Sequence, residues 1–522
     1  MKKIFTLSFV LSIVTFICAQ NVNKVGMTGP TFIDEFNQND VNVTGVSPEG
    51  RFVYGMNGSG SAAIYDFENA DPFMFLEATP ADYFGISIAG FTPDGRALIS
   101  HYTKSYFLNL KTNEQEFIES PDENFGMDAW DISADGNIIG CNLTTEDFVV
   151  IPMVAIKQAD GTYKIEYLEY DKYDAMGCIA QYTQVRFVSD DGNYIMGIQP
   201  DNRGMCGRLV VWVKQEDGSY KFTTPMDEFL YDLSYAKPGL APEWDDYVTA
   251  DYETETELFN QQEEEYNKVF DEYEKNYMNF TKNRSSLEIY MMNKATRCNT
   301  ICMAYYDNRV NMDSNLIPVF YDCNTNNITE YPEMINSFGI EQLPGGGYIV
   351  ATDNSSLYSL TAIDKEGNAK PFEEWLKDLT GTDISADYHC SFYDYISDKD
   401  VEGVFPGLPY FSHDGKSLVF TGMNPELGTV SSVIKFDSDV FADTTTGINV
   451  NVTDEIVVGN NMIKIGAGKH GVADVYTLGG VKCGSYIIDG NLNLNNIVAK
   501  GTYLVNININ GEKTTSLKMM VK

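Results

Sequence analysis

Basic residues are scarce in this chain: 36 Lys and Arg stand against 75 Asp and Glu, for a net charge of −39. Nucleic acids and anionic membrane surfaces are polyanions themselves, so this balance argues against both as partners. Histidine is scarcer still, with four residues, which leaves little room for a His-rich metal centre. Three chemical signatures are missing: Gly-x-x-x-x-Gly-Lys-Ser/Thr, His-Glu-x-x-His and Gly-x-Ser-x-Gly. Long apolar runs are missing too, beyond the first twenty residues, so the sequence predicts no transmembrane segment. Core-forming residues are plentiful. The chain is 43% hydrophobic and 13% aromatic, which excludes a wholly disordered protein. Its 522 residues suit one large repeat domain with an appendage.

The start reads as a targeting segment. Lys2 and Lys3 precede an apolar run from Ile4 to Cys18, and Ala19 offers a small residue for cleavage. The sequence therefore predicts a signal peptide over residues 1–19 and an exported mature protein, secreted or at the outer cell surface. Ile17 stands where a lipobox before Cys18 needs a small residue, which argues against lipidation. Eight cysteines remain downstream at irregular spacings. Export permits disulfides, but spacing alone assigns none. Cys298 and Cys302 form half a zinc-like pair with no second half.

Between residues 40 and 440 one phrase recurs. Val46-Ser47-Pro48-Glu49-Gly50-Arg51-Phe52 returns as Phe91-Thr92-Pro93-Asp94-Gly95-Arg96-Ala97 and as Ile132-Ser133-Ala134-Asp135-Gly136-Asn137-Ile138. It returns again at Val188–Tyr194 and at Phe411–Ser417. Asp-Gly makes a tight turn because Gly reaches positive φ freely and Asp caps the turn through its side chain. The apolar residues on either side then read as strands. A second hairpin follows each copy, as in Val210–Val213 with Tyr220–Phe222. Seven such units begin near residues 43, 88, 128, 183, 297, 340 and 408. Units of this length with four short strands predict an all-β fold, a β-propeller of seven blades over residues 25–440. Residues 25–42 are expected to help the first and last blades meet. The phrase resembles the Ser-Pro-Asp-Gly blade repeat of TolB-like propellers, a resemblance that implies a fold and no particular ligand.

Residues 226–288 break the pattern. They hold 17 acidic and 5 basic residues. Phe259, Tyr266, Phe270, Tyr273, Tyr277 and Phe280 recur at helical steps, which puts an aromatic stripe on one face. The sequence predicts an acidic helical insertion. Its stripe either packs on the propeller rim or binds a partner, with Phe259, Tyr266, Phe270, Tyr273 and Tyr277 as the contact residues.

Composition shifts again after a polar linker at 441–450. Short strands with Gly and Asn turns over 451–522 predict a small β-sandwich. This stretch resembles the C-terminal sorting domain of type IX secretion. The matching residues are Val475-Tyr476, Gly479-Gly480-Val481, Gly501-Thr502-Tyr503-Leu504-Val505 and a last strand carrying Lys518. The resemblance implies handling by that secretion machinery and display at the surface.

Asp94, Asp135, Asp191 and Asp414 occur once per unit, so they read as turn-formers rather than catalytic acids. The sequence supports no cofactor, no metal site and no catalytic residue. Two functions compete. One is a non-catalytic surface module that binds protein or glycan. The other is an extracellular hydrolase or lyase whose carboxylates converge from different blades at the channel mouth.

Overall fold

The computed structural model describes residues 24–442 apart from breaks at 80–84, 102–103, 123–124, 148, 181, 201–205, 289–291, 311–314, 354–357, 389–390, 395–398 and 403–406. It also describes 456–521 apart from 460–461, 466–469, 478–481, 490, 495–496, 499–500 and 510–511. The expected signal peptide, residues 443–450 of the expected linker, and Gly479-Gly480 lie outside the described residues.

Residues 24–442 form one compact unit, a seven-bladed β-propeller. Blades 1 to 4 are antiparallel four-stranded meanders over 42–76, 86–118, 126–167 and 184–223. Blade 5 takes Asn293–Lys294, Thr300–Asp307, Leu316–Asp322 and Asn327–Glu330, and blade 6 spans 337–371. Blade 7 joins Tyr410–Phe411, Ser417–Asn424 and Gly428–Phe436 to Met27–Phe32, which pairs Met27 with Phe436 as the outermost strand. The two ends of the propeller sequence thus share one sheet, and residues before 42 do close the ring. Blade 5 carries no Asp-Gly because Arg297 supplies the left-handed turn residue, at φ 61°.

The repeated phrase works as its chemistry requires. Gly136 sits at φ 71°. The Ser133 hydroxyl donates to Asp135 Oδ1 at 2.6 Å and accepts the Ile138 N–H at 3.0 Å. Ser189-Asp191-Tyr194 and Ser412-Asp414-Ser417 repeat the pattern. Neighbouring turns also interlock. The Ala134 N–H bonds the Asp190 carbonyl and the Asp414 N–H bonds the Pro48 carbonyl, which locks blade 3 to blade 4 and blade 7 to blade 1. Between blades, apolar faces pack into cores such as the one where Trp212 is fully buried beside Val185, Val188 and Ile138.

The insertion leaves the outer strand of blade 4 (Tyr220–Thr223) and holds short helices at Asp227–Leu230 and Trp244–Tyr247 and a long one at Thr256–Phe280. It returns through Arg284–Glu288, which pairs with the third strand of blade 4 and the second strand of blade 5. Phe280 stacks on Tyr231 at 5.2 Å, so the helix C-terminus is anchored in the core between those blades.

Strands from Ile456–Gly459 to Glu512–Val521 make the second unit. They follow one hydrogen-bonded path of seven strands around Ile463, Ala473, Val475, Ile488, Leu494, Val505 and Ile507. Alternation in His470–Thr477 places Gly471, Ala473 and Val475 on the buried side. Lys482–Asp489 and Asn491–Asn493 complete it. Tyr503 is half-buried, and Lys518 stands opposite Leu504 in the terminal pair. Among the described residues, no helix is long and apolar enough to cross a membrane.

Candidate binding site at the channel and its mouth

The innermost strands of all seven blades line the central channel. A cavity of about 300 Å³ lies there, walled by residues that include Tyr54, Trp130, Asp131, Phe187, Lys294, Glu341 and Tyr410. Charges this deep must be matched. Lys294 Nζ lies 2.7 Å from Asp131, 3.5 Å from Asp190 and 2.8 Å from the Val188 carbonyl. Burial lowers the ammonium pKa, but the two carboxylates more than offset this and hold it above its usual range.

Asp190 is the hub. It accepts His413 Nδ1 at 2.7 Å and the Arg297 N–H at 3.0 Å. Burial alone would raise it; His413 and Lys294 win and hold it at about 2. Arg297 continues the chain of charges to Asp439. Glu341, on blade 6, accepts the Thr296 N–H at 2.7 Å and its hydroxyl at 2.8 Å. Burial pushes this carboxyl up to about 7 against those bonds. The channel is therefore braced by partners from blades 3 to 7.

A second cavity, of about 550 Å³, opens between blades 2 and 3. Met56, Ile88, Ala89, Ala129 and Val150 give it apolar walls, and Ser87, His101, Asn142, Thr144 and Gln184 supply polar groups. Trp130 lines both this cavity and the channel. The Arg186 guanidinium lies over its ring at 4.4 Å. The Trp130 indole N–H donates to Asp128 Oδ2. Asp128 Oδ1 is buried without a hydrogen-bond partner. Burial pushes this carboxyl up to about 7, and Trp130 and Arg186 pull the other way. Ser87, Asp128 and Gln184 stand near the beginnings of inner strands, so this mouth is on the face opposite the Asp-Gly turns. Outer strands end on the same face, so the insertion emerges there too.

The five aromatic positions proposed for partner contact line the inner side of the insertion. Tyr266 meets Trp244 at 4.9 Å, Tyr247 at 5.9 Å and Phe270 at 5.6 Å. Phe259 meets Trp244 and Tyr252, Tyr273 meets Tyr277, and Tyr277 is buried. Glu264, Glu265, Asp271, Glu272 and Glu274 are exposed. The turn residues Asp94, Asp135, Asp191 and Asp414 all stay within their own turns' hydrogen bonding, with Asp191 also reaching Asn299. His413 does more than its turn position implied, since it closes on Asp190. Sequence reasoning missed Asp128, Asp131, Asp190, Lys294 and Glu341. The available signal was a charged residue inside a strand expected to face the channel, and the doubled acid Asp190-Asp191 where other copies hold one.

No family model matches the chain, and no curated protein matches it. Among solved structures, it is similar to a putative TolB from Agrobacterium tumefaciens at 12% identity, over 56% of this chain and 79% of that one, with a TM-score of 0.32. TolB from Acinetobacter baumannii matches at 12% identity over 63% and 61%, TM-score 0.30. A streptogramin B lyase matches at 10% over 80% and 97%, TM-score 0.37. The propeller itself is read from the strand pairing.

Proposed function

We propose that the chain is an exported, surface-displayed binding propeller that captures a group of a protein or glycan partner in the cavity between blades 2 and 3. The observation that carries this is the division of labour between the two cavities. The channel's charges are engaged with one another, whereas the mouth cavity offers apolar walls, an indole and a few convergent polar groups, the composition of a ligand site. Its volume falls within the usual range for such sites. In this reading Phe259, Tyr266, Phe270, Tyr273 and Tyr277 hold the insertion in shape so that its outer carboxylates present a salt-sensitive face to a basic partner.

Glycan and peptide arrays test it. Wild type binds, folded Trp130→Ala protein loses binding at least tenfold, and His413→Ala retains it. The enzymatic alternative, a hydrolase or lyase, draws on the Asp190–His413 pair, a carboxylate that orients an imidazole. It requires turnover that His413→Ala abolishes, and binding that Trp130→Ala leaves intact.

Export and display belong to the same proposal. They rest on Lys2-Lys3 with the apolar run and on the likeness of 451–522 to a sorting domain. Deleting residues 447–522 is expected to leave a folded propeller in the periplasm; arrival of the truncated protein at the surface would end the sorting claim.

A further inference from the structure

We propose that the cavity between blades 2 and 3 receives an ammonium group carried on an apolar stem, with Asp128 as its counter-charge. This rests on the reading of that cavity as the binding site. Asp128 is a wall residue whose Oδ2 is taken by the Trp130 indole and whose Oδ1 has no hydrogen-bond partner. A buried carboxyl oxygen left unmatched is costly, and a ligand donor that meets it recovers the cost. The terminal torsion of an aspartate is broad, so a modest rotation turns an oxygen toward the cavity.

Three features select a cation over a neutral donor. A charge-assisted hydrogen bond to a carboxylate is about twice as strong as a neutral one. The Trp130 ring in the wall attracts positive charge at its faces, one of which the Arg186 guanidinium already covers. The net charge of −39 draws cations toward the surface from a distance. The apolar residues Ile88, Ala129 and Val150 require the charge to arrive on a hydrocarbon stem. Arg186 from blade 4 acts on Asp128 through space, Cys141 lies near it on the next strand of blade 3, and His101 from blade 2 lines the same cavity.

Calorimetry at pH 8 with the full chain tests the proposal, using phenethylamine and its neutral analogue 2-phenylethanol as probes. Wild type should prefer the amine by about tenfold or more, and Asp128→Asn should bind both alike. A second reading needs no variant. At pH 7, titration of wild type in buffers of different ionisation enthalpy should show release of about half a proton on amine binding, as the carboxyl ionises to meet the ligand. Equal affinity for the two probes in wild type, with no proton release, overturns the ammonium assignment and leaves the cavity as a site for neutral ligands. Failure of both probes to bind at all overturns the cavity reading itself.

Discussion

Replacing Lys294 with Met should cost the propeller about 3 kcal/mol at neutral pH, within the range for breaking a buried ion pair by removing one partner. Lys294 is the one lysine or arginine within 4 Å of both Asp131 and Asp190 among the described ion pairs. Methionine fills a similar volume, so the loss comes from charge and not from a cavity. Asp131 would keep the Val188 N–H at 2.8 Å as its fixed donor. The deficit should shrink on acidification, because a protonated Asp131 needs no counter-ion. Denaturant midpoints of the two proteins at several pH values check this. A variant as stable as wild type at neutral pH would mean that the channel charges are solvated and not a brace.

Glu341→Gln should have the opposite sign. The folded carboxyl sits at about 7 because burial penalises its charge. The unfolded one ionises near about 4.3. A raised folded pKa means that its stabilising contribution is complete below the unfolded value and is lost as pH climbs through about 7. Wild type therefore loses up to about 1.4 kcal/mol per pH unit in that window from this residue alone. Glutamine keeps the acceptor for the Thr296 N–H and has no charge to desolvate. The variant should be more stable than wild type at pH 8 by on the order of 2 kcal/mol and no more stable at pH 4.5. Parallel pH profiles for the two proteins would show that Glu341 is solvated in the folded state.

Such residues also mark where the sequence stops being readable. The turn phrase was legible because its logic is local: Ser133, Asp135, Gly136 and Ile138 lie within six residues and bond to one another. Blade count and ring closure followed from repeating that unit. The channel is different. Asp131, Asp190, Lys294 and His413 come from four blades, and 223 residues separate His413 from its partner. No spacing rule connects them, and only closure of the ring brings them together. Asp128 was hidden for the same reason, since its surroundings join Trp130 of its own blade to Arg186 of blade 4. The aromatic stripe was visible as a helical period, but its cover was not. Trp244 and Tyr247 come from a four-residue helix too short to show any period.

Ligand capture turns on one cavity, and hydrogen exchange of the full chain with its tightest array ligand tests this most directly. Protection is expected in Ile86–Phe91, Gly126–Ile132 and Ile138–Thr144, the strands that wall the cavity between blades 2 and 3. Protection confined to Thr256–Phe280, or to the strands after Ile456, with those three unchanged, would contradict it.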